Sequence, residues 1–211
     1  MAITDMRREY SAASLQRADL LADPIAQFNR WFAEAQKKSS TEANVMTLAT
    51  ADKKGKPLAR IILLKGLETR GFIFFSHYDG PKGRDLTDNP QAALVFFWPE
   101  LERQVCVNGS VSKLSAAESD KYFHSRPRGS QLAAWVSKQS VVVPDRKFLE
   151  EKLRAVETKF TGDVPRPDYW GGYVLAPDCI EFWQGHPNRL HDRFSYSKQA
   201  DGSWKIERLA P

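Results

Sequence analysis

Four stretches of the chain carry side chains able to hold an anion or move a proton. In LARIILLK, residues 58–65, Arg60 and Lys65 flank an apolar run. A strand period of two puts Arg60 on one face with Ile62 and Leu64, and Lys65 on the other; five steps of roughly 3.3 Å set them about 16 Å apart. A regular strand therefore aims them at two anions, or at two ends of one long ligand. The plain alternative is that each ends an apolar strand in solvent. Arg60 fits that alternative less well, because a charge beside Ile61 in a buried strand needs a partner.

In DKYFHSRPRGSQ, residues 120–131, a helix running to Ser125 would set Tyr122 and Arg126 one turn apart on one face. Pro127 would end that helix and leave Arg128, Ser130 and Gln131 in the following turn. A phenol, a guanidinium and a hydroxyl so spaced make a pocket for a phosphate dianion, with the guanidinium supplying two parallel donors. A basic helix C-terminus complementing the dipole accounts for Arg126 as well, but gives no reason for Tyr122 or Ser130.

In FWQGHPNRLHDRF, residues 182–194, alternation places Arg189, His191 and Arg193 on one face of a returning strand. That arrangement is expensive in a core and useful in a site. Arginine fixes an anionic or electron-rich substrate, and histidine moves a proton near neutral pH. Two other readings stand beside this one. A solvated edge strand would use the charges against aggregation. His186 and His191 could bind a metal, but no third ligand has suitable spacing. The fourth stretch is Gly80-Pro81-Lys82-Gly83, where backbone N–H groups at a helix start and a lysine form an anion site, or where a helix merely begins beside a solvated lysine. Neither GxxxxGK[ST] nor a GxGxxG following a strand occurs, so a nucleotide would have to be held in some other way.

The elements that must position these residues follow from periodicity. Asp23-Pro24 opens a helix with Ile25, Phe28, Trp31, Phe32 and Ala35 at helical spacing and a basic end. From Asn44 the period changes: NVMTLAT, LARIILLKGL, GFIFFSH, QAALVFFW and RQVCVNGSVSKL predict five strands before residue 114. Short turns between them favour antiparallel pairing. PKGRDLTDN predicts a helix, and Ser115 with Glu118 is the capping box of another. PDRKFLEEKLRAVETKF adds a charged helix with Phe148, Leu149, Leu153, Val156 and Phe160 as its buried stripe. GGYVLAPDCIEFWQG, LHDRFSYSK and SWKIERL return to strand. The whole predicts an α+β fold, mainly β, on an antiparallel sheet or barrel.

Composition agrees with a folded chain: of 211 residues, 42% are hydrophobic and 27% charged, which argues against disorder. No stretch approaches the roughly 18 apolar residues of a membrane span. The N-terminus has no apolar segment of a secretory signal, and Cys106 and Cys179 make neither a disulfide framework nor a zinc pattern, so a cytoplasmic location is expected. The net charge of +5 is concentrated between Lys121 and Arg146, where five basic residues meet one acidic one. A local cluster of this kind suits a compact phosphate ester better than a long polyanion.

RREY at 7–10, RIILLK at 60–65, YFHSRPRGSQ at 122–131, WVSKQS at 135–140, FWQGHPNRLHDR at 182–193 and the terminal ERLAP together resemble the pyridoxine (pyridoxamine) 5'-phosphate oxidase family, from Arg7 to Pro211. The resemblance implies an FMN-binding split β-barrel with flanking helices, spanning residues 21–211 after a mobile segment over 1–20. It implies a homodimer with FMN at the subunit interface, and no metal, nucleic-acid or membrane partner. The implied reaction oxidises pyridoxamine 5'-phosphate or pyridoxine 5'-phosphate to pyridoxal 5'-phosphate. Hydride passes to flavin N5, O2 reoxidises the flavin to give H2O2, and the amine substrate also releases ammonia.

By matching position, FMN contacts would come from Arg60, Ile61, Ile62, Leu63, Leu64 and Lys65, and from Phe75, Ser76 and Lys82. Gln104, Gln139, Ser140, Trp183 and Arg193 would complete them. Lys65, Tyr122, Arg126 and Ser130 would hold the substrate phosphate, Arg189, Leu190 and His191 would lie over the pyridine ring, and Arg7, Arg8, Glu9 and Tyr10 would form a mobile cover. Arg60 would then serve the flavin phosphate and Lys65 the substrate phosphate. One departure stands out: where many members carry Ser-Arg-Lys, this chain has Gly80-Pro81-Lys82, which removes one cationic contact that Arg84 could replace. Phe75, often tyrosine in relatives, is a milder change. Two other function classes are a non-catalytic flavin or vitamin-phosphate binding module on the same barrel, and a barrel stacking nucleic-acid bases on its aromatics.

Overall fold

The computed structural model describes residues 2–6, 9–11, 14–38 and 42–211. Helix α1, Pro24–Lys38, starts where the Asp23 carboxylate accepts hydrogen bonds from the N–H groups of Ile25 (3.0 Å) and Ala26 (3.2 Å). It buries Phe28, Trp31 and Ala35 along one stripe. Phe28 meets Phe72 and Phe96 edge-on at 5.0 and 4.9 Å between ring centres, so the helix plugs an aromatic core.

The strands are β1 (Val45–Ala51), β2 (Pro57–Leu63), β3 (Gly66–Glu68), β4 (Gly71–His77), β5 (Gln91–Trp98), β6 (Arg103–Lys113), β7 (Trp170–Gln184), β8 (Asp192–Lys198) and β9 (Trp204–Leu209). They pair antiparallel in the order β2-β1-β5-β6-β7-β4-β3. The long β7 forks the sheet, its first residues pairing with β4 and its last with β8, which carries β9. At the fork, Asn108 faces Cys179 while Gly109 faces Pro177, so Asp178 is the extra residue of a bulge at a proline that has no N–H to donate.

One expectation is corrected here. LARIILLKGL is two strands, β2 and β3, at opposite ends of the sheet order, so among the described residues six strands precede residue 114. Between them the Leu64 N–H donates to the Asn44 carbonyl and the Lys65 N–H to the Ile73 carbonyl, both at 2.8 Å. The backbone changes partner at this step, from the β1 side to the β4 side. That change brings the two ends of the sheet together and makes the split barrel, and it takes Lys65 out of the regular alternation assumed for it.

Helices α2 (Pro81–Asp88), α3 (Ala116–Ser125), α4 (Arg128–Val136) and α5 (Arg146–Lys159) flank the barrel. Ser115 and Glu118 form the expected capping box on α3. Residues 128–136 were expected to begin with a turn and instead form α4. Pro127 fixes the entry, and its carbonyl accepts from the N–H groups of Ser130 (2.8 Å) and Gln131 (3.1 Å). These helices cover a second core of Phe123, Leu132, Ala134, Val164 and Trp170. The predicted stripe of α5 packs on it only through half-buried residues, and no residue of α5 is fully buried.

Gly71, with φ of 134°, lies so close to the Leu175 carbonyl that a Cβ there would overlap its oxygen. Gly71→Ala is therefore expected to lose about 2–4 kcal/mol, combining backbone strain with a steric clash. Urea unfolding should show this as a lower midpoint at unchanged slope.

Candidate active site

Strand β2, the start of α2, the end of α3 and the first turn of α4 enclose a cleft of about 510 Å³. Its wall includes Arg60, Ile61, Ile62, Leu63, Lys65, Phe75, Ser76, Lys82, Tyr122, Arg126, Ser130 and Gln139, so both groups of expected phosphate contacts meet in one space. Pro127 and Trp170 also line it, and among the described residues no carboxylate does. Leu64, expected among these contacts, turns its side chain into the main core.

Arg60 is braced from behind. Its Nη1 donates to the Leu48 carbonyl (3.2 Å) and to Thr50 Oγ1 (2.8 Å), whose hydroxyl in turn donates to Asp85 Oδ2 (2.7 Å). Nη2 stands 3.9 Å from the same carboxylate oxygen and makes no hydrogen bond, although it is buried. Burial lowers the pKa of this guanidinium, and Asp85 opposes the shift. Lys82, 8% exposed on the first turn of α2, donates from Nζ to Gln139 Oε1 at 2.6 Å. Burial, and secondarily Arg60, push its pKa down to about 8. A Cβ on Gly80 would sit 2.5 Å from that Gln139 oxygen, so glycine here permits the contact. Arg84, the possible replacement for the missing cation, donates to the Asp79 carbonyl (2.6 Å) and does not line the cleft.

The second cationic group stands on an aromatic stack. Tyr122 lies 3.7 Å from Phe75, which stacks 5.6 Å from Trp170, and the Arg126 guanidinium sits 4.6 Å from the Trp170 ring centre. Gly172 permits this layer, since a Cβ there would come within 2.8 Å of Phe75. Gln131 Nε2 donates to the Arg126 carbonyl at 2.8 Å. Arg126 Nη1 is buried without a hydrogen-bond partner, and burial lowers the pKa of the group while Tyr122 opposes. Burial raises the Tyr122 pKa, which keeps the phenol protonated and able to donate.

A separate hollow of about 420 Å³ is lined by Glu9, Tyr10, His186, Asn188, Arg189 and His191 together with Met6. Tyr10 sits edge-on to both Trp183 and His191 at 5.4 Å, and the last two are 4.7 Å apart. Arg189 and His191 precede β8, where a strand face was expected. Asn188 and Arg189 take left-handed φ values of 57° and 60° in a tight turn, so of the three residues only Arg193 lies on the strand. The His186 N–H donates to His191 Nδ1 at 3.2 Å, which places the proton of the neutral ring on Nε2. Burial first, then Arg189 and His186, lowers the His191 pKa and favours that neutral form. Leu190 is exposed and Ser140 lies outside the cleft, with φ of 64°. Gln104, Trp183 and Arg193 are register partners across β6, β7 and β8, a row that adjoins this hollow through Trp183 and does not line the cleft. Arg7 and Arg8 lie outside the described residues.

Nearby, Asp192 gathers the N-terminal segment: its Oδ2 accepts from the Leu15 N–H (2.8 Å) and from Ser14 Oγ (3.0 Å), and Arg208 pairs with it. Ser11 N–H donates to Glu102 Oε2 at 2.8 Å. Thr50, Asp85 and Trp170 escaped the reading of the sequence. They support the site from other elements, and only the contact with Arg60 or Arg126 distinguishes them from ordinary core or cap residues.

Residues 32–160 match the family model described as pyridoxamine 5'-phosphate oxidase, and residues 170–211 match the pyridoxine 5'-phosphate oxidase C-terminal dimerisation region. The chain is 54% identical over 211 residues to a pyridoxine/pyridoxamine 5'-phosphate oxidase of Burkholderia lata and 56% identical over 209 residues to that of Ralstonia pickettii, covering 99% of each chain in both cases. Among solved structures, PhzG of Burkholderia lata in complex with tetrahydrophenazine-1-carboxylic acid has a TM-score of 0.88 at 30% identity, over 95% of this chain and all of that one. An FMN-binding, pyridoxamine 5'-phosphate oxidase-related protein of Nostoc punctiforme shares the fold, with a TM-score of 0.71 at 14% identity over 91% of this chain and all of that one. No helix among the described residues is long and apolar enough to cross a membrane.

Proposed function

Because this chain belongs to the pyridoxamine 5'-phosphate oxidase family, we propose that it is an FMN-dependent oxidase converting pyridoxamine 5'-phosphate or pyridoxine 5'-phosphate to pyridoxal 5'-phosphate. The observation that carries this reading is the pair of buried guanidinium nitrogens, Arg60 Nη2 and Arg126 Nη1, which lack hydrogen-bond partners at a cleft whose described lining residues include no carboxylate, Asp85 standing behind Arg60 at 3.9 Å. Buried cationic N–H groups without a hydrogen-bond acceptor are costly, and two phosphoryl groups would relieve both.

Arg60 and Lys82 would hold the FMN phosphate, and Lys65, Tyr122, Arg126 and Ser130 the phosphate of the substrate. FMN would supply the hydride acceptor, its N5, and the electron path to O2. Gln104, Trp183 and Arg193 would reach the flavin of the partner's cleft across a dimer built on the C-terminal region, with Arg189 and His191 over the substrate ring. Arg189 would orient that ring. His191 Nε2–H would donate a hydrogen bond to it, because the other ring nitrogen already accepts from the backbone. The stretch 7–10 would contribute a movable cover, with Tyr10 set against Trp183 and His191. The direct test mixes the protein with FMN and pyridoxamine 5'-phosphate and follows oxygen uptake together with aldehyde formation. Stoichiometric conversion supports the reading, and no turnover by FMN-loaded protein defeats it.

The likeness to PhzG favours a second reading, oxidation of a polycyclic carboxylic acid. It predicts turnover of a partly reduced polycyclic acid that carries no phosphate, whereas the leading reading predicts turnover of a phosphorylated substrate that is lost without Arg126.

Lys82 makes cofactor binding pH-dependent. Its neutral form is favoured by burial, and only the cation attracts a phosphate, so FMN affinity should fall as pH rises through about 8. Between about 8 and the ordinary lysine value of 10.5 the unfolded chain binds more protons here than the native one, so this residue makes the cofactor-free protein more stable as pH rises. Fluorescence titration of FMN from pH 7 to 9 should show the loss of affinity, and Lys82→Met should flatten it.

A further inference from the structure

We propose that Glu181 is a positioning residue for the flavin site, acting through Arg193; the inference rests on the function proposed above. On β8, Arg193 faces Trp183 of β7, which faces Gln104 of β6, so its guanidinium belongs to the row that would meet the flavin. It does not stand free. Nε donates to Glu181 Oε1 at 2.8 Å and Nη2 to Oε2 at 2.9 Å, a two-point pairing along one edge of the planar group. Nη1 donates to the Ala210 carbonyl at 2.8 Å. These bonds use three of the five N–H groups and leave one on each of Nη1 and Nη2 for a ligand.

Glu181 is suited to this task. Its side chain is 18% exposed and sits on β7 opposite Ser195 in the register, diagonal to Arg193. Cys106, its register partner on β6, offers no charge; burial and the Glu181 carboxylate both push that thiol's pKa up. The carboxylate is therefore directed at one cation, fixing both where the guanidinium lies and how much of its charge the ligand meets. A cross-strand ion pair that served only the sheet would give the same geometry, so the test must separate the two roles.

Glu181→Gln keeps the shape and removes the charge. FMN Kd should rise about tenfold, equivalent to about 1.4 kcal/mol. Arg193→Ala should weaken FMN further. The double variant should match Arg193→Ala alone, because one effect runs through the other. The flavin reduction potential of Glu181→Gln should shift positive, since Arg193 would present an unbalanced charge to the reduced, more anionic flavin; a purely structural pair would lower the melting temperature and leave the potential unmoved. If Glu181→Gln does not fold, Glu181→Asp, which keeps the charge and shortens the reach, should weaken FMN less, leave the potential near wild type, and still show no added loss when combined with Arg193→Ala. Wild-type FMN affinity and potential in the Glu181 variant, or losses that add in the double variant, overturn the inference. Wild-type protein that binds no FMN defeats the parent reading, and this one with it.

Discussion

Arg60→Ala should weaken FMN binding by about a hundredfold while leaving the apoprotein folded. Each hydrogen bond from a charged donor to a phosphate contributes about 1.5–3 kcal/mol, and the fork of Arg60 offers two such donors; part of the gain is offset by the water both partners give up, leaving about 2.7 kcal/mol. In the cofactor-free protein the bonds of Nη1 to the Leu48 carbonyl and Thr50 are offset by burial of a charged group whose Nη2 has no hydrogen bond, so the net contribution to stability is expected to be small. Removing it leaves Thr50 still donating to Asp85. Arg60→Lys should fall between, keeping the charge and losing the planar fork. Equilibrium dialysis of FMN, with circular dichroism for folding, separates these outcomes. Unfolded Arg60→Ala protein would mean that the residue braces β2 against α2 instead.

Arg126→Ala should lower kcat/KM for pyridoxamine 5'-phosphate by about a hundredfold, mostly through KM, with FMN affinity unchanged. The group sits above Trp170 with Nη1 unpaired, so it is oriented before the ligand arrives and the binding step need not order it. The variant also loses the contact with the ring, about 0.5–1 kcal/mol, which would appear as a slightly lower melting temperature. A substrate without a phosphate supplies the control: its slow turnover should be equal in wild type and variant. Steady-state kinetics on both substrates check this, and an equal loss for both would mean that Arg126 supports the wall and not the phosphate.

Much of this was legible in the residues. Helix α1 could be read because Asp23-Pro24 and the spacing of Phe28, Trp31 and Ala35 point the same way, and the Ser115 capping box because it needs only local contacts. The break at Leu64–Lys65 was not legible: LARIILLKGL is a β-rich stretch with an unbroken apolar run, and only closure of the sheet, a long-range requirement, makes the backbone change partners there. The turn before β8 was misread for a related reason, since Asn188 and Arg189 adopt left-handed backbone angles that no glycine advertises. The site was legible as a set of cations but not as places. Arg60 and Lys82 converge because α2 packs on β1, whose Thr50 joins Arg60 of the neighbouring β2 to Asp85 of α2, while Arg193 lies on β8, paired with Glu181, and sequence spacing carries neither fact.

A crystal structure of the protein with FMN and pyridoxal 5'-phosphate tests most directly whether one cleft accommodates two phosphoryl groups on separate cations. The expected result is the flavin phosphate on Arg60 and Lys82 and the vitamin phosphate on Lys65, Tyr122, Arg126 and Ser130, the two rings lying face to face. A structure with either phosphate in bulk solvent, or with both on one arginine, contradicts it.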